Sequence, residues 1–163
     1  MDGPGVPAPT FEGLFLAEFP RLVRSLAVAD GTDDAADAVQ EAFVQAQMRW
    51  SRVGSLDDPA GWVRRVALNR LSNARRNRRR QVAILAAVRP IDPVELQPSD
   101  LDLLAAVSTL PPQQRRCLCL HHIGGYPIAE IAAALGIAEG TVKSHLHDAR
   151  ASLRHTLEVT DDA

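Results

Sequence analysis

Arginine side chains crowd the middle of this sequence, and the chemistry they offer is phosphate binding. Residues 63–90 contain nine arginines and no acidic residue, whereas residues 1–62 contain four arginines and ten acidic residues. A guanidinium group presents a planar fork of donors that matches phosphate oxygens, so a dense arginine row is typical of a nucleic-acid surface. This separation of basic from acidic segments predicts one surface that binds nucleic acid and other surfaces that bind different partners. The alternative is a solvated, arginine-rich helix end.

A second set of candidate contacts lies near the end of the sequence, in residues 126–157. Two short amphipathic patterns flank a Leu-Gly-Ile turn at residues 135–137, which is the layout of a helix-turn-helix. Opposite and beside the apolar stripe of the second helix are side chains suited to base edges and phosphates: Gly140, Thr141, Lys143, Ser144, His147 and Arg150. Glu139 and Asp148 oppose phosphate contact, so this unit alone is expected to bind DNA weakly. An ordinary helical hairpin with a polar outside is the alternative.

Four soft metal ligands, Cys117, Cys119, His121 and His122, fall close together. A helix would spread them around its circumference, and their spacing is not that of a zinc site, so we predict no metal. The two cysteines would diverge by about 200° on a helix and are expected to stay reduced. No Ser/His/Asp set, carboxylate pair or phosphate-binding glycine loop has a supporting context. The sequence therefore predicts neither enzyme activity nor a cofactor.

The elements that must position these side chains are helices. Alanine, leucine and valine dominate while aromatic residues are few, which predicts an all-α fold. Apolar spacing and turn residues predict helices over residues 11–29, 32–50, 59–81, 99–107 and 112–123, followed by the helix-turn-helix. Thr32 is expected to cap the second of these helices.

Prolines divide the chain into two parts. Pro90, Pro93 and Pro98 predict a semi-extended tether, and hence two small helical domains joined by a proline-containing linker. The expected organisation is a disordered leader (1–10), a first domain (11–86), a linker (87–99), a helix-turn-helix domain (100–158) and a tail (159–163). No apolar run approaches the roughly 20 residues that cross a bilayer, and the first ten residues lack the features of a signal peptide. The protein is expected to be cytoplasmic, without membrane insertion.

Two segments together resemble the bacterial RNA polymerase sigma factors of the extracytoplasmic-function (ECF) group. DAADAVQEAF at residues 34–43 and PAGWVRRVALNRLSNARRNRRR at residues 59–80 look like region two, which binds core polymerase and melts the promoter. Residues 110–157 look like region four, which reads the upstream promoter element. The resemblance implies an initiation factor that binds core RNA polymerase and both double-stranded and melted promoter DNA at the −10 and −35 elements. An anti-sigma factor is a further candidate partner.

The resemblance also implies roles for individual positions. In this family, one helix docks on the clamp coiled coil of the largest polymerase subunit. The corresponding helix of this chain carries Asp37, Gln40 and Glu41. On the same helix, Val39 and Phe43 are expected in the core. Residues 51–56 match a loop that captures a flipped base of the downstream element, and the helix after it lies along that DNA. The downstream positions are Arg52, Ser55, Arg64, Arg65, Asn69, Arg75, Arg76, Arg79 and Arg80.

Two features of the last third qualify this interpretation. Ala138 replaces the usual serine cap of the reading helix, and Asp148 replaces a frequent arginine, which is expected to weaken upstream-element contact. The end of the sequence, GTVKSHLHDAR, also resembles the LuxR-type DNA-binding domain. That alternative would make the chain a dimeric regulator that acts without joining polymerase, and it leaves the arginine-rich third helix unexplained.

Overall fold

The computed structural model describes residues 9–82 and 98–161, with side chains over residues 9–77 and 101–158. Every regular element in these ranges is an α-helix, which agrees with the predicted all-α fold. The helices are α1 (Phe11–Asp30), α2 (Thr32–Met48), α3 (Trp50–Val53), α4 (Pro59–Val82), α5 (Pro98–Thr109), α6 (Pro112–His122), α7 (Ile128–Leu135) and α8 (Glu139–Asp161). Within the described ranges, no helix is both long and apolar enough to cross a membrane.

The ends of α1 follow from its flanking residues. Thr10 caps the helix, because its Oγ1 accepts a hydrogen bond from the N–H of Gly13 at 3.1 Å. Gly31 ends it with a φ of 104°, a conformation that side chains with a Cβ rarely adopt. The expectation that Thr32 caps α2 is wrong, since Gly31 holds the cap position and Thr32 is the first helical residue. The short α3 was also not expected, because it falls at the edge of a stretch that reads as a turn.

Helices α1–α4 form the first unit. α1 packs on α2, and α2 packs on α4. Their shared core includes Leu22 and Leu26 of α1 and Leu71 of α4, all at most 1% exposed. Val39 and Phe43 of α2 are also buried, as expected. Full burial of one such side chain contributes roughly 1.5–3 kcal/mol to folding, so this face of α2 is committed to the core. Its opposite face is left for partners.

Helices α5–α8 form the second unit, and α7 with α8 make the predicted helix-turn-helix. The turn depends on Gly136, which adopts a left-handed φ of 68° and donates its N–H to the carbonyl of Ala132. Val142 and Leu146 of α8 are buried, at 0% and 2% exposure. α8 therefore turns its apolar side inward, and its polar side faces solvent.

The two units pack directly against each other. α1 contacts α6, α4 contacts α7, and buried apolar side chains from both units form one continuous cluster. The two predicted helical bundles are both present, and the structure adds that they are in contact. Their contact includes a polar pair that sequence patterns do not reveal, Arg116 of α6 with Asp30 of α1. The predicted linker, 87–99, lies largely outside the described residues.

Candidate nucleic-acid interface

One face of α4 is cationic and turned outward. The predicted downstream-DNA positions exposed on it are Arg65, Asn69 and Arg76. Arg75 is half-buried, and its guanidinium lies 3.4 Å from the carboxylate of Asp30. Arg79 and Arg80 are part of helix α4, but the structure does not describe their side chains. We call Arg65, Asn69, Arg75 and Arg76 the α4 track.

Arg64 does not belong to the α4 track. Its side chain is 4% exposed, and its guanidinium pairs with Glu18 at 3.1 Å, Asp58 at 3.3 Å and Glu130 of α7 at 3.4 Å. Three carboxylates surround this cation, so the structure does not place Arg64 on the exposed face with the other predicted downstream-DNA residues. Its neighbour Arg65 points elsewhere because one residue turns a helical side chain by about 100°.

A small cavity lies beside the loop that was expected to capture a base. Its volume is about 190 Å³. It is lined by Arg49, Arg52, Val53, Leu56 and Trp62. Arg52 and Ser55 are both exposed, and the Ser55 hydroxyl donates to the Arg52 carbonyl at 2.8 Å, which stabilises the turn. The sequence identified Arg52 and Ser55, whereas the aromatic wall formed by Trp62 of α4 was visible only in the structure.

The outer side of α8 carries the predicted upstream positions. All of them are exposed: Gly140, Thr141, Lys143, Ser144, His147 and Arg150. Arg150 lies 3.1 Å from the Nε2 atom of His122 in α6. Burial lowers the pKa of His122, and the nearby Arg150 and His121 lower it further. His122 therefore stays neutral at neutral pH and does not repel Arg150. Asp148 is exposed on the same helix and opposes phosphate contact.

The outer face of α2 mixes polar and apolar side chains. Exposed along it are the three predicted polymerase-binding residues, Asp37, Gln40 and Glu41. Glu41 forms an ion pair with Arg70 of α4. Val44 and Met48 continue this face at helical spacing and are 47% and 80% exposed. Exposed apolar groups at such spacing mark a surface for a partner helix. The sequence pattern alone does not distinguish them, because apolar residues at helical spacing are expected in the core.

Known families match both units of the chain. The family described as Sigma-70 region 2 matches residues 17–81, and Sigma-70 region 4 matches residues 100–153. The RNA polymerase sigma-E factor of Streptomyces antibioticus is 34% identical over 131 residues, which cover 78% of this chain and 73% of that protein. The ECF sigma factor SigM of Mycobacterium tuberculosis is 32% identical over 150 residues, covering 90% and 76% respectively. The chain belongs to the ECF sigma factors.

As an ECF sigma factor, the protein binds core RNA polymerase, recognises the −10 and −35 promoter elements and directs initiation. Its fold agrees with solved structures. The sigma factor RpoE of Bartonella quintana, in complex with the anti-sigma factor NepR, matches with a TM-score of 0.71 and 26% identity, over 91% of this chain and 96% of that one. CnrH in complex with the cytosolic domain of CnrY shares the fold, with a TM-score of 0.62 and 22% identity, over 91% and 88%. The region 2 match includes the arginine-rich helix that a LuxR-type regulator leaves unexplained.

The cysteines of this sigma factor are part of the protein interior. Cys117 and Cys119 are 0% and 2% exposed. Burial raises the pKa of Cys117 to about 11 and that of Cys119 to about 12, so both thiols stay protonated at neutral pH. They pack as small apolar groups. Over the part of the chain that the structure describes, no group of three or more metal-ligating side chains is arranged to hold an ion.

Proposed function

We propose that this sigma factor meets polymerase and promoter through three surfaces on different helices. The outer face of α2 docks on polymerase, the α4 track with its adjoining cavity holds the melted −10 element, and α8 reads the −35 element. The observation that carries this division is that the polar faces of α2 and α8 and part of the α4 track are exposed while the apolar sides of all three helices are buried. Because the three surfaces are separate, a substitution on one of them should change one of the three binding events, to polymerase, to the −10 element or to the −35 element, without changing the other two.

The α2 surface suits a basic helical partner. Asp37 and Glu41 supply negative charge at one end, and Val44 and Met48 supply apolar area at the other. Opposite charge steers the approach of a partner, while desolvated apolar side chains supply most of the affinity. We therefore extend the predicted docking residues along α2 to Val44 and Met48.

The cavity beside α3 suits an unstacked base. Trp62 offers an aromatic wall, and Arg49 and Arg52 place cations around the same cavity. Stacking of a base on an aromatic ring contributes roughly 1–3 kcal/mol, and neighbouring arginines hold the phosphates that flank the base. Melting a promoter leaves bases without stacking partners, so a cavity of this kind favours the open strand over the duplex.

The α8 surface holds the −35 element with few charges. Lys143 and Arg150 are its cations, and Glu139 and Asp148 offset them. Such a surface binds weakly alone, but attachment to the same polymerase raises its effective concentration near the DNA. The weak contact is therefore sufficient once α2 has docked.

The wider role of the protein follows from these contacts. It acts as an initiation factor in the cytoplasm, and polymerase supplies the chemistry of RNA synthesis. RpoE of Bartonella quintana is seen in complex with the anti-sigma factor NepR, and CnrH in complex with the cytosolic domain of CnrY. Since this chain shares their fold, we propose that an anti-sigma protein also binds it.

The α8 assignment is tested by Ser144→Ala and His147→Ala. Each removes a hydrogen-bonding group from the exposed side of α8, and one good base contact contributes roughly 1–3 kcal/mol of discrimination. We expect each change to alter preference among −35 variants by roughly tenfold, measured by transcription with core polymerase on a promoter set differing at single −35 positions. Ser152→Ala, also exposed on α8, is the matched control. An unchanged order of preference in both variants would remove them from the reading surface.

A further inference from the structure

The end of α6 holds one cation of α8. Arg150 of α8 directs its Nη2 atom at the Nε2 atom of His122 at 3.1 Å, and its Nε atom lies 3.4 Å from the same nitrogen. Both side chains are exposed. Because a guanidinium has donors but no acceptor, the imidazole nitrogen must be the acceptor in this contact. His122 is therefore neutral here and carries its ring proton on Nδ1.

The ring of His122 is itself supported by its neighbour. The centre of the His121 ring lies 5.0 Å from that of His122, in an edge-to-face arrangement. His121 is fixed in turn, because its Nδ1 atom donates to the carbonyl oxygen of Tyr126 at 3.0 Å, and Tyr126 is buried. Burial lowers the pKa of His122, and the nearby Arg150 and His121 lower it further. The acceptor that meets Arg150 is therefore held in place and uncharged at neutral pH.

The contact occupies only one edge of the Arg150 guanidinium. Nε and Nη2 form that edge, and both donate to His122. Nη1 and the second N–H of Nη2 form the adjacent edge, and no protein group among the described side chains accepts from Nη1. A two-donor edge of this kind matches a pair of phosphate oxygens. Arg150 is therefore ordered by the protein on one edge and open to a phosphate on the other.

Lys143 shows what this contact changes. Lys143 and Arg150 are separated by close to two helical turns, so they share one side of α8, and both are exposed. Over the part of the chain that the structure describes, Lys143 makes no ion pair or side-chain hydrogen bond. Its long side chain must therefore lose rotamer freedom when it binds DNA. Arg150 has lost much of that freedom already.

We propose that His122 is a positioning residue for −35 binding, which holds Arg150 in an orientation that can receive a DNA phosphate. This inference rests on the proposed role of α8. The effect is entropic, because a long side chain that is fixed before binding loses less freedom on binding. For one such side chain the effect amounts to about threefold to tenfold in affinity. It matters here because Glu139 and Asp148 offset the two cations of this surface.

The test replaces His122 with side chains that keep or lose its acceptor. His122→Gln places an amide oxygen as many bonds from Cβ as the Nε2 atom of histidine, whereas the amide of His122→Asn ends nearer the backbone and His122→Ala has no acceptor. The probe is a fluorescein-labelled promoter duplex from which core polymerase transcribes only with this sigma factor. Binding of the holoenzyme is followed by fluorescence anisotropy. We expect the Ala and Asn variants to bind about threefold to tenfold more weakly than wild type, and the Gln variant to restore wild-type affinity.

A double-mutant cycle shows whether His122 acts through Arg150. If His122 orders Arg150, His122→Ala should have no effect once Arg150 is alanine. Lys143→Ala is the matched background, because it removes a cation from the same side of α8 that His122 does not contact. In that background His122→Ala should still weaken binding by about threefold to tenfold. A role of His122 in the stability of α6 alone would give equal losses in both backgrounds.

Salt dependence separates positioning from a direct phosphate contact. Arg150→Ala removes one phosphate contact, which should reduce the slope of log affinity against log salt by about 0.9. His122→Ala leaves the Arg150 charge in place and only disorders its side chain. The slope of the His122→Ala variant should therefore equal that of wild type.

Three results would each overturn the positioning role. They are wild-type affinity in the folded His122→Ala variant, a loss in His122→Gln as large as that in His122→Ala, and an equal loss from His122→Ala with and without Arg150. All three leave the α8 assignment standing if Arg150→Ala itself weakens promoter binding. If Arg150→Ala binds as wild type does, the proposed role of Arg150 in −35 binding fails, and the positioning role fails with it. Circular dichroism and cooperative melting verify that each variant is folded.

Discussion

Replacing both Val44 and Met48 with glutamate is expected to abolish stable binding to core RNA polymerase while leaving the chain folded. Both side chains are largely exposed, so the core does not depend on them. Apolar anchors at the centre of an interface contribute about 2 kcal/mol or more each, and two unpaired carboxylates on a docking surface add a desolvation cost. We expect a loss of at least 100-fold in affinity, measured by surface plasmon resonance with immobilised core enzyme.

A matched variant separates docking from a general effect of charge. Leu101 and Leu103 of α5 are exposed at 54% and 43%, far along the chain from α2. Their double change to glutamate adds the same charge at apolar sites of similar exposure and should leave polymerase binding unaltered. If the α2 variant binds core enzyme as wild type does, the docking surface lies elsewhere.

The second large effect is expected from Arg75→Ala combined with Arg76→Ala, which should block promoter opening and spare polymerase binding. These side chains are the cationic end of the α4 track, whereas the proposed docking surface is on α2. Hydrogen bonds to charged groups contribute roughly 1.5–3 kcal/mol each, so losing two lowers open-complex formation by roughly 100-fold. Permanganate footprinting of melted thymines measures the open complex directly.

Salt dependence distinguishes lost phosphate contacts from misfolding. Two fewer phosphate contacts to a single strand reduce the slope of log affinity against log salt by about 1.4. The control pairs Arg24→Ala with Arg154→Ala, which removes the same charge from exposed sites outside the track. Normal opening by the Arg75 and Arg76 variant, or equal loss in the control, would contradict the assignment of the track.

Local features of this protein were predictable because local chemistry determines them. The arginine row, the α8 surface and the turn at Gly136 depend on spacings within one or two helical turns, and their periodicity survives in the structure. Arg64 illustrates the limit. At about 100° per residue, Arg65 and Asn69 share one side of α4, whereas Arg64 points elsewhere. Arg64 entered the prediction only through family resemblance, and the structure buries it among carboxylates.

Contacts between the units were not predictable for a physical reason. Asp30 meets Arg116, and Glu18 meets Tyr126, across 86 and 108 residues of sequence. Such pairs leave no periodic signal, because each partner looks like an ordinary polar residue of its own helix. Proline-rich composition correctly indicated two units but carried no information on whether they touch. The aromatic wall at Trp62 also leaves no signal in the sequence, since the packing of α3 beside α4 creates it.

Promoter-directed initiation by this sigma factor can be measured by transcription in vitro, with purified core polymerase, on a library of randomised promoters whose start sites are mapped by sequencing. We expect transcripts that appear only when this sigma factor is added and that begin at a fixed distance from a shared pair of elements. The Val44 and Met48 double variant should yield none of them. Start sites indistinguishable from those of core polymerase alone would show that the chain does not direct initiation.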